Sequence, residues 1–285
     1  MVSLKDIPMV TAPDVARIVR LALAEDVGLG DATSMSILPP ELGMRARVVA
    51  KAPGVIAGLF VMTEVFAQLD PAVSVQPLVN DGDSVVCGDV VAEITGPALA
   101  VLAGERTALN FLQRMSGIAT LTRAHVDAVR GTGAVILDTR KTAPGLRLLD
   151  KMAVRSGGGQ NHRMGLFDMV LIKDNHIDAC GSITEALARV GRGARAGLPR
   201  EVECRTEADV LEAVALVPDR ILLDNMTVAQ VRRCAGLVAG RVPLEVSGNM
   251  SLENIRDYAD TGVAFISVGA LTHSVHALDL SLQVL

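Results

Sequence analysis

The sequence is poor in aromatic residues, which make up 2% of its 285 residues and include no Trp and a single Tyr. Sites for single-stranded nucleic acid stack the bases on aromatic faces, so this composition argues against such a site. The net charge of −5 also provides no positive field that would attract DNA, RNA or an anionic membrane. We therefore expect neither nucleic acid nor a membrane as a partner. Hydrophobic residues make up 50% of the chain, so the core is expected to be aliphatic.

Several common signatures of metal and cofactor sites are absent from the sequence. Its four cysteines show no CxxC spacing and do not group with histidines, which argues against structural zinc and thiol chemistry. No G-x-x-x-x-G-K-S/T motif of an ATP-binding loop is present. No apolar stretch has the length of a membrane span, and the N-terminus has no basic segment followed by an apolar core. We expect a reduced cytoplasmic protein without an organic cofactor.

The first hundred residues predict a small layer of helices and strands. In order, the patterns indicate a helix from Thr11 to Asp26, a strand from Arg45 to Lys51, a helix from Gly58 to Leu69, a strand from Val73 to Val79 and a β-hairpin from Val85 to Ile94. A long helix from Leu99 to Arg114 follows, and Ser116 and Gly117 are expected to break or bend it before a second helix. The polar residues of this part suggest turns rather than chemistry.

After residue 131, short aliphatic runs alternate with amphipathic helices, a pattern typical of a parallel sheet. The runs are Val135–Leu137, Val170–Ile172, Glu201–Val202, Ile221–Leu223, Leu244–Val246 and Phe265–Val268. Each run stops at a residue able to do chemistry or to hold an anion, and these are Asp138, Lys173, Glu203, Asp224, Ser247 with Gly248, and Gly269. Because the parallel strands of a barrel direct their carboxyl ends to one face, we expect these residues to meet at one mouth.

Capping of the following helices is the alternative explanation for these strand ends, since Asp and Ser are common helix caps. For a single strand the two explanations carry about equal weight. For Lys173 and Glu203 the capping explanation fails, because neither residue type is a favoured cap and isolated buried charge is costly. The sequence therefore predicts a functional mouth rather than a set of caps.

The charged residues of the predicted mouth divide into two parts. Arg140, Arg163 and Lys173 form a cationic part, suited to a small molecule with more than one negative charge. Glu203 and Asp224 form an acidic part, suited to sugar hydroxyls or to Mg²⁺ carried on a pyrophosphate. A ligand with these features fits phosphoribosyl pyrophosphate better than a nucleotide.

The last two runs lead into turns that are rich in small residues, Ser247–Asn249 and Val268–Ala270. In barrels, loop amides and helix N-termini at this corner commonly hold a terminal phosphate. His273 could add a hydrogen bond there, and the equal alternative is an ordinary surface or capping histidine. We expect this corner to bind the phosphate of the ligand.

Taken together, the sequence resembles the quinolinate phosphoribosyltransferases, also called carboxylating nicotinate-nucleotide pyrophosphorylases. The matching stretches run in the family's order and are Glu105–Leu112, Ser116–Thr120, Asp138–Thr142, Pro144–Gly145, Gly157–Gly159, Asn161–Arg163, Leu171–His176, Glu201–Glu203, Leu222–Asn225, Ser247–Gly248 and Val268–Ser274. So many ordered motifs make the match specific. The residues before Glu105 match more loosely.

The resemblance implies an α/β fold with two domains, the type II phosphoribosyltransferase architecture. An N-terminal α/β sandwich domain is expected over 1–116, with the tail 274–285 packing back on it, and an open seven-stranded α/β barrel over 117–273 as the catalytic domain. It also implies a homodimer, in which Arg106 of one subunit reaches into the neighbour's site to bind a quinolinate carboxylate. Without the resemblance, Arg106 would be read as an ordinary exposed helix arginine.

The implied reaction joins quinolinate to phosphoribosyl pyrophosphate and yields nicotinate mononucleotide, pyrophosphate and CO₂. The residues implied to hold quinolinate are Arg106, Thr139, Arg140, His162, Arg163 and Lys173. Lys141 is expected on the pyrophosphate side, and Glu203 and Asp224 at the ribose hydroxyls and the Mg²⁺ that the substrate brings. With Lys173, these three form the implied catalytic set. The residues implied to hold the 5′-phosphate are Ser247, Gly248, Asn249, Val268, Gly269, Ala270 and His273.

Two places depart from the usual family pattern and put the choice of acceptor in question. Cys204 and Arg205 follow Glu203 where an aliphatic residue and an acid are common, and Asn249 replaces a glycine. Arg205 is expected to shift the local charge near Glu203. Asn tolerates left-handed backbone angles better than most residues, so the turn at Asn249 is expected to survive.

Two rival functions stay open at this point. One is a paralogous pyrophosphorylase, of the kind associated with molybdate uptake, that uses another acceptor. The cationic residues implied to hold quinolinate are all present, which favours a ligand with two carboxylates. The other rival is a non-catalytic barrel that binds a phosphorylated metabolite. Such a protein would not need Lys141, Glu203 and Asp224 together, yet all three are present.

Overall fold

The computed structural model describes residues 12–193 and 196–285, so the predicted helix start at Thr11 lies outside the described residues. The chain divides into two units. The first unit consists of Met1–Arg123, Thr142–Gly158 and Ser274–Leu285, and the second consists of Ala124–Lys141 and Gly159–His273. The tail from Ser274 groups with the first unit, and so does Thr142–Gly158, which we had assigned to the barrel. The domain boundary after residue 116 stays a prediction.

The first part of the chain folds into short helices and strands that end in one long helix. The elements are α1 (Ala12–Asp26), α2 (Ala32–Ile37), β1 (Gly43–Ala50), β2 (Gly54–Val55), α3 (Leu59–Leu69), β3 (Ser74–Pro77), β4 (Ser84–Val85), β5 (Val90–Pro97) and α4 (Ala98–Ala128). The predicted helices and strands before residue 80 are all present, with ends shifted by a few residues at most. Apolar side chains such as Val48, Val61 and Ile94 are buried and build the aliphatic core of this unit.

The rest of the chain alternates strands and helices. The elements are β6 (Val135–Leu137), α5 (Arg147–Ser156), β7 (Val170–Ile172), α6 (Asp174–Cys180), α7 (Ile183–Arg192), β8 (Arg200–Cys204), α8 (Glu207–Ala215), β9 (Arg220–Asp224), α9 (Val228–Val238), β10 (Leu244–Ser247), α10 (Ile255–Ala259), β11 (Phe265–Ser267), α11 (Ala270–His273) and β12 (Leu280–Val284). Of these, α5 and β12 belong to the first unit and the others to the second.

The first unit contains a four-stranded antiparallel sheet in the order β12-β1-β5-β3. The predicted hairpin between Val85 and Ile94 is wrong, because β4 pairs with β2 and β5 pairs with β1 and β3. The backbone at Gly88 and Asp89 bonds to Ala50 instead of closing a hairpin. The alternation of apolar residues correctly predicted two strands here, but each strand pairs with a strand from elsewhere in the first unit.

Helix α4 is continuous through Ser116 and Gly117, so the predicted break is absent. Both residues have another role inside the first unit. The Ser116 hydroxyl accepts a hydrogen bond from the Ala57 amide at 3.0 Å. A Cβ at Gly117 would lie 2.1 Å from the carbonyl oxygen of His276, so only glycine admits this close approach of the C-terminal segment.

The second unit is built on a parallel sheet of six strands in the order β6-β11-β10-β9-β8-β7. We expected seven strands. Among the described residues, the extra place beside β6 is taken by a single parallel bridge between Leu137 and Gln160 rather than by a regular strand. The six strands coincide with the six predicted aliphatic runs, and β6 and β7 match them residue for residue.

The helices α7, α8 and α9 of the second unit begin at side chains that cap them. Ser182, Thr206 and Thr227 each accept a hydrogen bond from the third amide of α7, α8 and α9, respectively. The caps of α8 and α9 lie directly after β8 and β9, where the chain leaves the sheet. Within the described ranges, no helix combines the length and the apolar character needed to cross a bilayer.

Candidate active site

A pocket of about 550 Å³ lies within the second unit, at the carboxyl ends of its parallel strands. It is lined by nearly all of the predicted site residues, which are Thr139, Arg140, Lys141, His162, Arg163, Lys173, Glu203, Asp224, Ser247, Gly248, Asn249, Gly269, Ala270 and His273. The predicted convergence on one mouth is thus present. The volume lies in the range typical of pockets for small molecules.

Two predicted residues do not line this pocket. Val268 is buried, and its amide donates to the carbonyl of Leu137 at 2.9 Å, so this amide is already engaged in the sheet. Arg106 is exposed on α4 and belongs to the first unit. Its role in the site of a neighbouring subunit stays a prediction.

The cationic wall of the pocket consists of Arg140, Arg163 and Lys173, and it includes a buried arginine. Arg163 is 9% exposed, and its guanidinium donates to the carbonyl of Met169 at 3.2 Å. Burial lowers the pKa of Arg163, and the positive charge of Arg140 lowers it further. Two guanidinium groups that repel one another in this way form a site that an anion with two charges would stabilise.

The loop that carries Arg163 is held in place by two carboxylates. Asp138 is fully buried and accepts hydrogen bonds from the amide of His162 at 2.9 Å and from the side chain of Asn161 at 2.6 Å. Farther along, Asp168 accepts from the amides of Met164 and Gly165 at 2.7 and 3.0 Å. Asp138, which we predicted at the mouth, therefore acts beneath it by shaping the loop.

Lys173 occupies the cap position of α6 through its backbone. Its amide donates to His176 Nδ1 at 2.9 Å, while its side chain extends to Glu203 and places Nζ 2.6 Å from Oε2. Lys173 therefore occupies a helix cap, as the capping explanation requires, but its side chain extends to Glu203 and does not form the cap. Glu203 is 8% exposed and the Lys173 side chain 44% exposed, so the ion pair opens to the pocket on the lysine side.

The acidic part consists of Glu203 on β8 and Asp224 at the end of β9. Asp224 is half-buried and accepts a hydrogen bond from the side chain of Asn225 at 2.8 Å. Neither residue belongs to a group of three possible metal ligands among the described residues. Two carboxylates without a closed cage suit Mg²⁺ that arrives on a pyrophosphate, because Mg²⁺ keeps most of its ligands from water and phosphate.

The glycine-rich corner consists of the turns Ser247–Asn249 and Val268–Ala270, and two residues of the first turn have left-handed backbone. Gly248 has φ 103° and Asn249 has φ 51°. A Cβ at Gly248 would lie 2.2 Å from Oδ1 of Asn225, so this position requires glycine on two grounds. Asn249 adopts the positive φ that we expected it to tolerate, and its carbonyl accepts from the side chain of Asn254 at 3.0 Å.

The facing turn of this corner begins at Gly269. A Cβ there would lie 3.1 Å from Cδ2 of His273 and 3.2 Å from Cδ of Lys141. The two basic side chains therefore pass close over the glycine. The hydroxyl of Thr272 donates to the carbonyl of Lys141 at 2.9 Å and ties the two segments together.

Sequence reasoning missed a layer of charged residues beneath the pocket. Glu245 and Ser267 contribute to the pocket lining, and Glu201 and Arg220 are buried below it. Arg220 lies 2.5 Å from Glu245 Oε2, with its guanidinium carbon 4.0 Å from the centre of the Phe265 ring. The signal was available, because glutamates inside aliphatic runs are costly to bury unless they have partners.

His162 lies between this layer and the pocket. Its Nε2 is 2.9 Å from Glu201 Oε2 and 3.6 Å from Glu245 Oε1. Neither oxygen of Glu201 receives a well-aligned hydrogen bond from the described residues, in spite of this short ion-pair distance. Burial, and then the charge of Glu201, raises the pKa of Glu245 to about 7, and burial raises the pKa of Glu201 as well. Both carboxyls are therefore protonated more readily than an ordinary glutamate.

Two family models together match most of the chain. The model described as quinolinate phosphoribosyl transferase, N-terminal domain, matches residues 31–116, and the model of the C-terminal domain matches residues 118–283. The two matches together include every residue that lines the pocket.

Curated proteins and solved structures with similar chains bear related names. Quinolinate phosphoribosyltransferase (decarboxylating) 1b of Nicotiana tabacum is 44% identical over 290 residues, which cover 95% of this chain and 82% of that protein. The probable nicotinate-nucleotide pyrophosphorylase (carboxylating) of Bacillus subtilis is 47% identical, covering 91% of this chain and 90% of its own. The crystal structure of NadC from Streptococcus pyogenes superposes with a TM-score of 0.93 at 40% identity, covering 97% of this chain and 99% of that chain.

Proposed function

This chain belongs to the quinolinate phosphoribosyltransferase family, and from that premise we propose that its pocket joins quinolinate to phosphoribosyl pyrophosphate with loss of CO₂. The products are nicotinate mononucleotide, pyrophosphate and CO₂, so the enzyme serves NAD biosynthesis. The observation that carries the proposal is that one pocket combines a cationic wall, two acidic residues and a glycine-rich corner. The cationic wall matches a dicarboxylate, the two acidic residues match a ribose with Mg-bound pyrophosphate, and the glycine-rich corner matches a 5′-phosphate.

The cationic wall is proposed to bind quinolinate. Arg140 and Arg163 would each face a carboxylate, because a guanidinium matches a carboxylate with two parallel hydrogen bonds. Lys173 would add a third positive charge, and the hydroxyl of Thr139 lies beside Arg140 in the sequence. Support comes from the repulsion between Arg140 and Arg163, which a bound dianion would relieve.

The acidic part is proposed to bind the ribose and its metal. Glu203 and Asp224 would accept hydrogen bonds from the ribose hydroxyls and share the Mg²⁺ that the substrate carries. Lys141 would lie on the pyrophosphate side, which its position close to Gly269 supports. The corner formed by Ser247, Gly248 and Asn249 with Gly269, Ala270 and His273 would hold the 5′-phosphate through amides and one imidazole. Val268 would support this corner from the sheet.

The chemistry needs electrostatics and positioning more than a strong base. Loss of pyrophosphate breaks the C1–O bond and leaves positive charge on the ribose ring, which the carboxylates of Glu203 and Asp224 would stabilise. The quinolinate nitrogen then forms the new bond to C1. When the adjacent carboxylate leaves as CO₂, its electron pair stays on the ring carbon beside the cationic nitrogen and takes up a proton. Arg140, Arg163 and Lys173 would hold the ring in line throughout.

A homodimer with Arg106 contributed across the interface is part of the proposal. The exposed position of Arg106 on α4 supports it. Arg106→Ala and Lys173→Ala subunits, each inactive alone, are expected to recover about a quarter of the wild-type activity when unfolded together and refolded, since half of the randomly formed dimers contain one complete site. No recovery in verified mixed dimers would contradict the sharing of Arg106.

The protein is proposed to act in the cytoplasm. Its four cysteines carry free thiols, which fits a reducing compartment. Relatives include proteins named as mitochondrial and chloroplastic, so fractionation of the native cells is the relevant measurement.

Incubation of the protein with phosphoribosyl pyrophosphate, Mg²⁺ and either quinolinate or nicotinate tests the function. Pyrophosphate and CO₂ should be released in equal amounts with quinolinate and not with nicotinate, because the cationic wall is matched to two carboxylates. Pyrophosphate release with another acid alone would favour the paralogous pyrophosphorylase. Absence of pyrophosphate release with every plausible acid would favour the non-catalytic barrel that binds a phosphorylated metabolite.

A further inference from the structure

Asn225 lies between the acidic part of the pocket and its glycine-rich corner. Asp224 is the last residue of β9 and pairs in register with Ser247, the last residue of β10. The amide of Asn225 donates one further hydrogen bond, to the carbonyl of Ser247 at 3.0 Å. Asn225 is therefore held beside Gly248, which follows Ser247 and has its Cα next to the Asn225 side chain.

The two ends of the Asn225 side-chain amide meet different parts of the pocket. Nδ2 donates to Oδ2 of Asp224 at 2.8 Å, and no other described residue donates to this carboxylate. Oδ1 lies so close to Gly248 that a Cβ there would overlap it. An amide nitrogen donates and an amide oxygen accepts, so the carboxylate fixes which end faces which neighbour. The side chain thus ties one oxygen of Asp224 to the backbone of the corner.

The loop that carries Asn225 is also held on its other side. Met226 is buried, and its carbonyl accepts a hydrogen bond from the hydroxyl of Tyr258 at 3.0 Å. The hydroxyl of Thr227 caps α9. With both flanks held, the backbone of Asn225 has a left-handed conformation at φ 52°, and its side chain reaches back to Asp224.

An ordinary turn and a direct contact with the ligand are the competing explanations for Asn225. Asn adopts left-handed backbone more readily than most residues, so the turn alone is one reason for its presence. The turn does not account for the side-chain amide, which joins a carboxylate of the pocket to a glycine of the corner. A direct contact lacks support, because Asn225 does not line the pocket.

We propose that Asn225 is a positioning residue, which holds the carboxylate of Asp224 at a fixed place relative to the turn Ser247–Asn249. The inference rests on the proposed function, in which Asp224 contacts the ribose hydroxyls and this turn holds the 5′-phosphate of the same molecule. A ribose 5-phosphate group makes both contacts at full strength only when their spacing matches its own. A site in which this spacing is fixed beforehand loses less entropy when the ligand binds.

Two substitutions of Asn225 separate positioning from the turn. Asn225→Gly adopts φ 52° without strain but lacks the amide. Asn225→Asp keeps the shape and tolerates left-handed backbone, but a carboxylate oxygen replaces the donor to Asp224. A residue that serves only the turn tolerates both changes, whereas a positioning residue tolerates neither. Asn80→Asp is the matched control, because Asn80 is exposed in the first unit and its side chain donates to Asp83 at 3.2 Å.

Binding of phosphoribosyl pyrophosphate, measured by calorimetry, provides a readout that needs no turnover. The titration contains Mg²⁺ and phthalate, which has two neighbouring carboxylates like quinolinate but no ring nitrogen to react. We expect the Kd to rise at least about tenfold in Asn225→Gly and in Asn225→Asp, because each loses a hydrogen bond to a charged group. The Kd should stay within about twofold in Asn80→Asp. Circular dichroism verifies that each variant is folded, and tolerance of either Asn225 substitution would overturn the proposal.

The KM values for the two substrates provide a second readout. In Asn225→Gly, the KM for phosphoribosyl pyrophosphate should rise at least about tenfold, while the KM for quinolinate should stay within about twofold. A general disturbance of the strand ends would weaken both substrates. Equal rises in the two KM values would therefore overturn the proposal.

A double-mutant cycle shows whether Asn225 acts through Asp224. In Asp224→Ala the carboxylate is absent, so adding Asn225→Gly should change the Kd for phosphoribosyl pyrophosphate less than about threefold. A tenfold loss in this background as well would indicate a direct contact with the ligand and overturn the proposal.

Failure of the inference and failure of the proposed function are distinguishable. If the wild type binds phosphoribosyl pyrophosphate but releases no pyrophosphate with quinolinate, the proposed function fails, while the cycle still decides the role of Asn225. A wild type that does not bind phosphoribosyl pyrophosphate would overturn both.

Discussion

The cationic wall and the glycine-rich corner lie in one pocket, and we propose that they recognise anions by different means. The wall uses side chains, and the Arg163 amide donates to His162, whose ring lies beside the buried Glu201. The corner uses backbone, and Gly248 and Asn249 depend on positive φ angles. Recognition by side chains can place a charge at many positions, but the side chain then needs buried polar groups that hold it in place. Recognition by the backbone needs no such groups, but it excludes a Cβ at the residue that contacts the anion.

This difference predicts that substitutions at the two ends will affect different substrates. A change in the wall or in the layer beneath it should raise the KM for quinolinate. A change in the corner should raise the KM for phosphoribosyl pyrophosphate. The five substitutions below test this separation, beginning with the largest expected effect.

Arg163→Ala should have the largest effect, because it removes a buried guanidinium from the wall. We expect kcat/KM for quinolinate to fall by about 10²–10³, in keeping with the loss of ~2–5 kcal/mol for a truncated buried charge pair. The KM for phosphoribosyl pyrophosphate should change less than about threefold. Steady-state kinetics checks this, with the exposed Arg256→Ala as control. A larger change for phosphoribosyl pyrophosphate than for quinolinate would break the separation.

Lys173→Ala should weaken quinolinate binding by roughly 10²-fold in kcat/KM, because it removes a pocket-facing charge and leaves Glu203 without its partner. The fold should be spared, since the Lys173 side chain is 44% exposed and the cap of α6 uses the Lys173 backbone amide. Circular dichroism would verify folding before the kinetics is measured. A folded variant with unchanged kinetics would refute the role of Lys173.

Gly248→Ala should act on the other end of the pocket. The added Cβ would clash with Asn225 and would occupy a backbone at φ 103°, so we expect a loss of about 1–3 kcal/mol in stability. The KM for phosphoribosyl pyrophosphate should rise roughly tenfold while that for quinolinate stays near the wild type. Gly236→Ala in α9 is the matched control, because its Cβ would meet nothing within 4 Å. Similar rises in both KM values would contradict backbone recognition at this corner.

Glu245→Gln tests the buried layer through the pH dependence of stability. The folded-state pKa of Glu245 is raised from 4.5 to about 7, so this group stabilises the fold fully below about pH 4.5 and loses that contribution as pH rises through about 7. Glutamine stays neutral, so the variant's Tm should rise relative to the wild type, by a few degrees, between about pH 5 and pH 8. Calorimetry across this range measures the difference, with Glu41→Gln as the control. A Tm difference independent of pH would show that Glu245 does not titrate there.

Asn249→Gly should have the smallest effect and tests a departure from the family pattern. Glycine adopts φ 51° without strain, so we expect a stability gain of about 0.5 kcal/mol and kinetics within about twofold of the wild type. Chemical unfolding would measure the gain. A large change in the KM for phosphoribosyl pyrophosphate would mean that the Asn249 side chain contacts the ligand.

The parallel strands were predictable because buried strands have sequences that are continuous aliphatic runs. The residues at the ends of these runs then predicted the position of the site. The pairing of β4 was not predictable, because Val85 and Val91 alternate in the same way whichever strand they join. The continuity of α4 through Gly117 was missed for a similar reason, since the close approach of His276 is visible only in three dimensions.

The buried charged layer marks the limit of the sequence argument. Glu201 and Glu245 were included in aliphatic runs, and their cost of burial is offset by Arg220 and His162, which come from other segments. No local pattern connects these residues. A charged residue inside a buried run is nevertheless a usable signal, because it predicts a partner that remains to be found.

A crystal structure of the protein with quinolinate and phosphoribosyl pyrophosphate bound, in the absence of Mg²⁺ to prevent turnover, tests the central claim most directly. The account predicts that quinolinate carboxylate oxygens lie within about 3 Å of the Arg163 guanidinium, with the 5′-phosphate at the amides of Gly248 and Asn249. Quinolinate bound at the glycine-rich corner, or outside this pocket, would contradict the account.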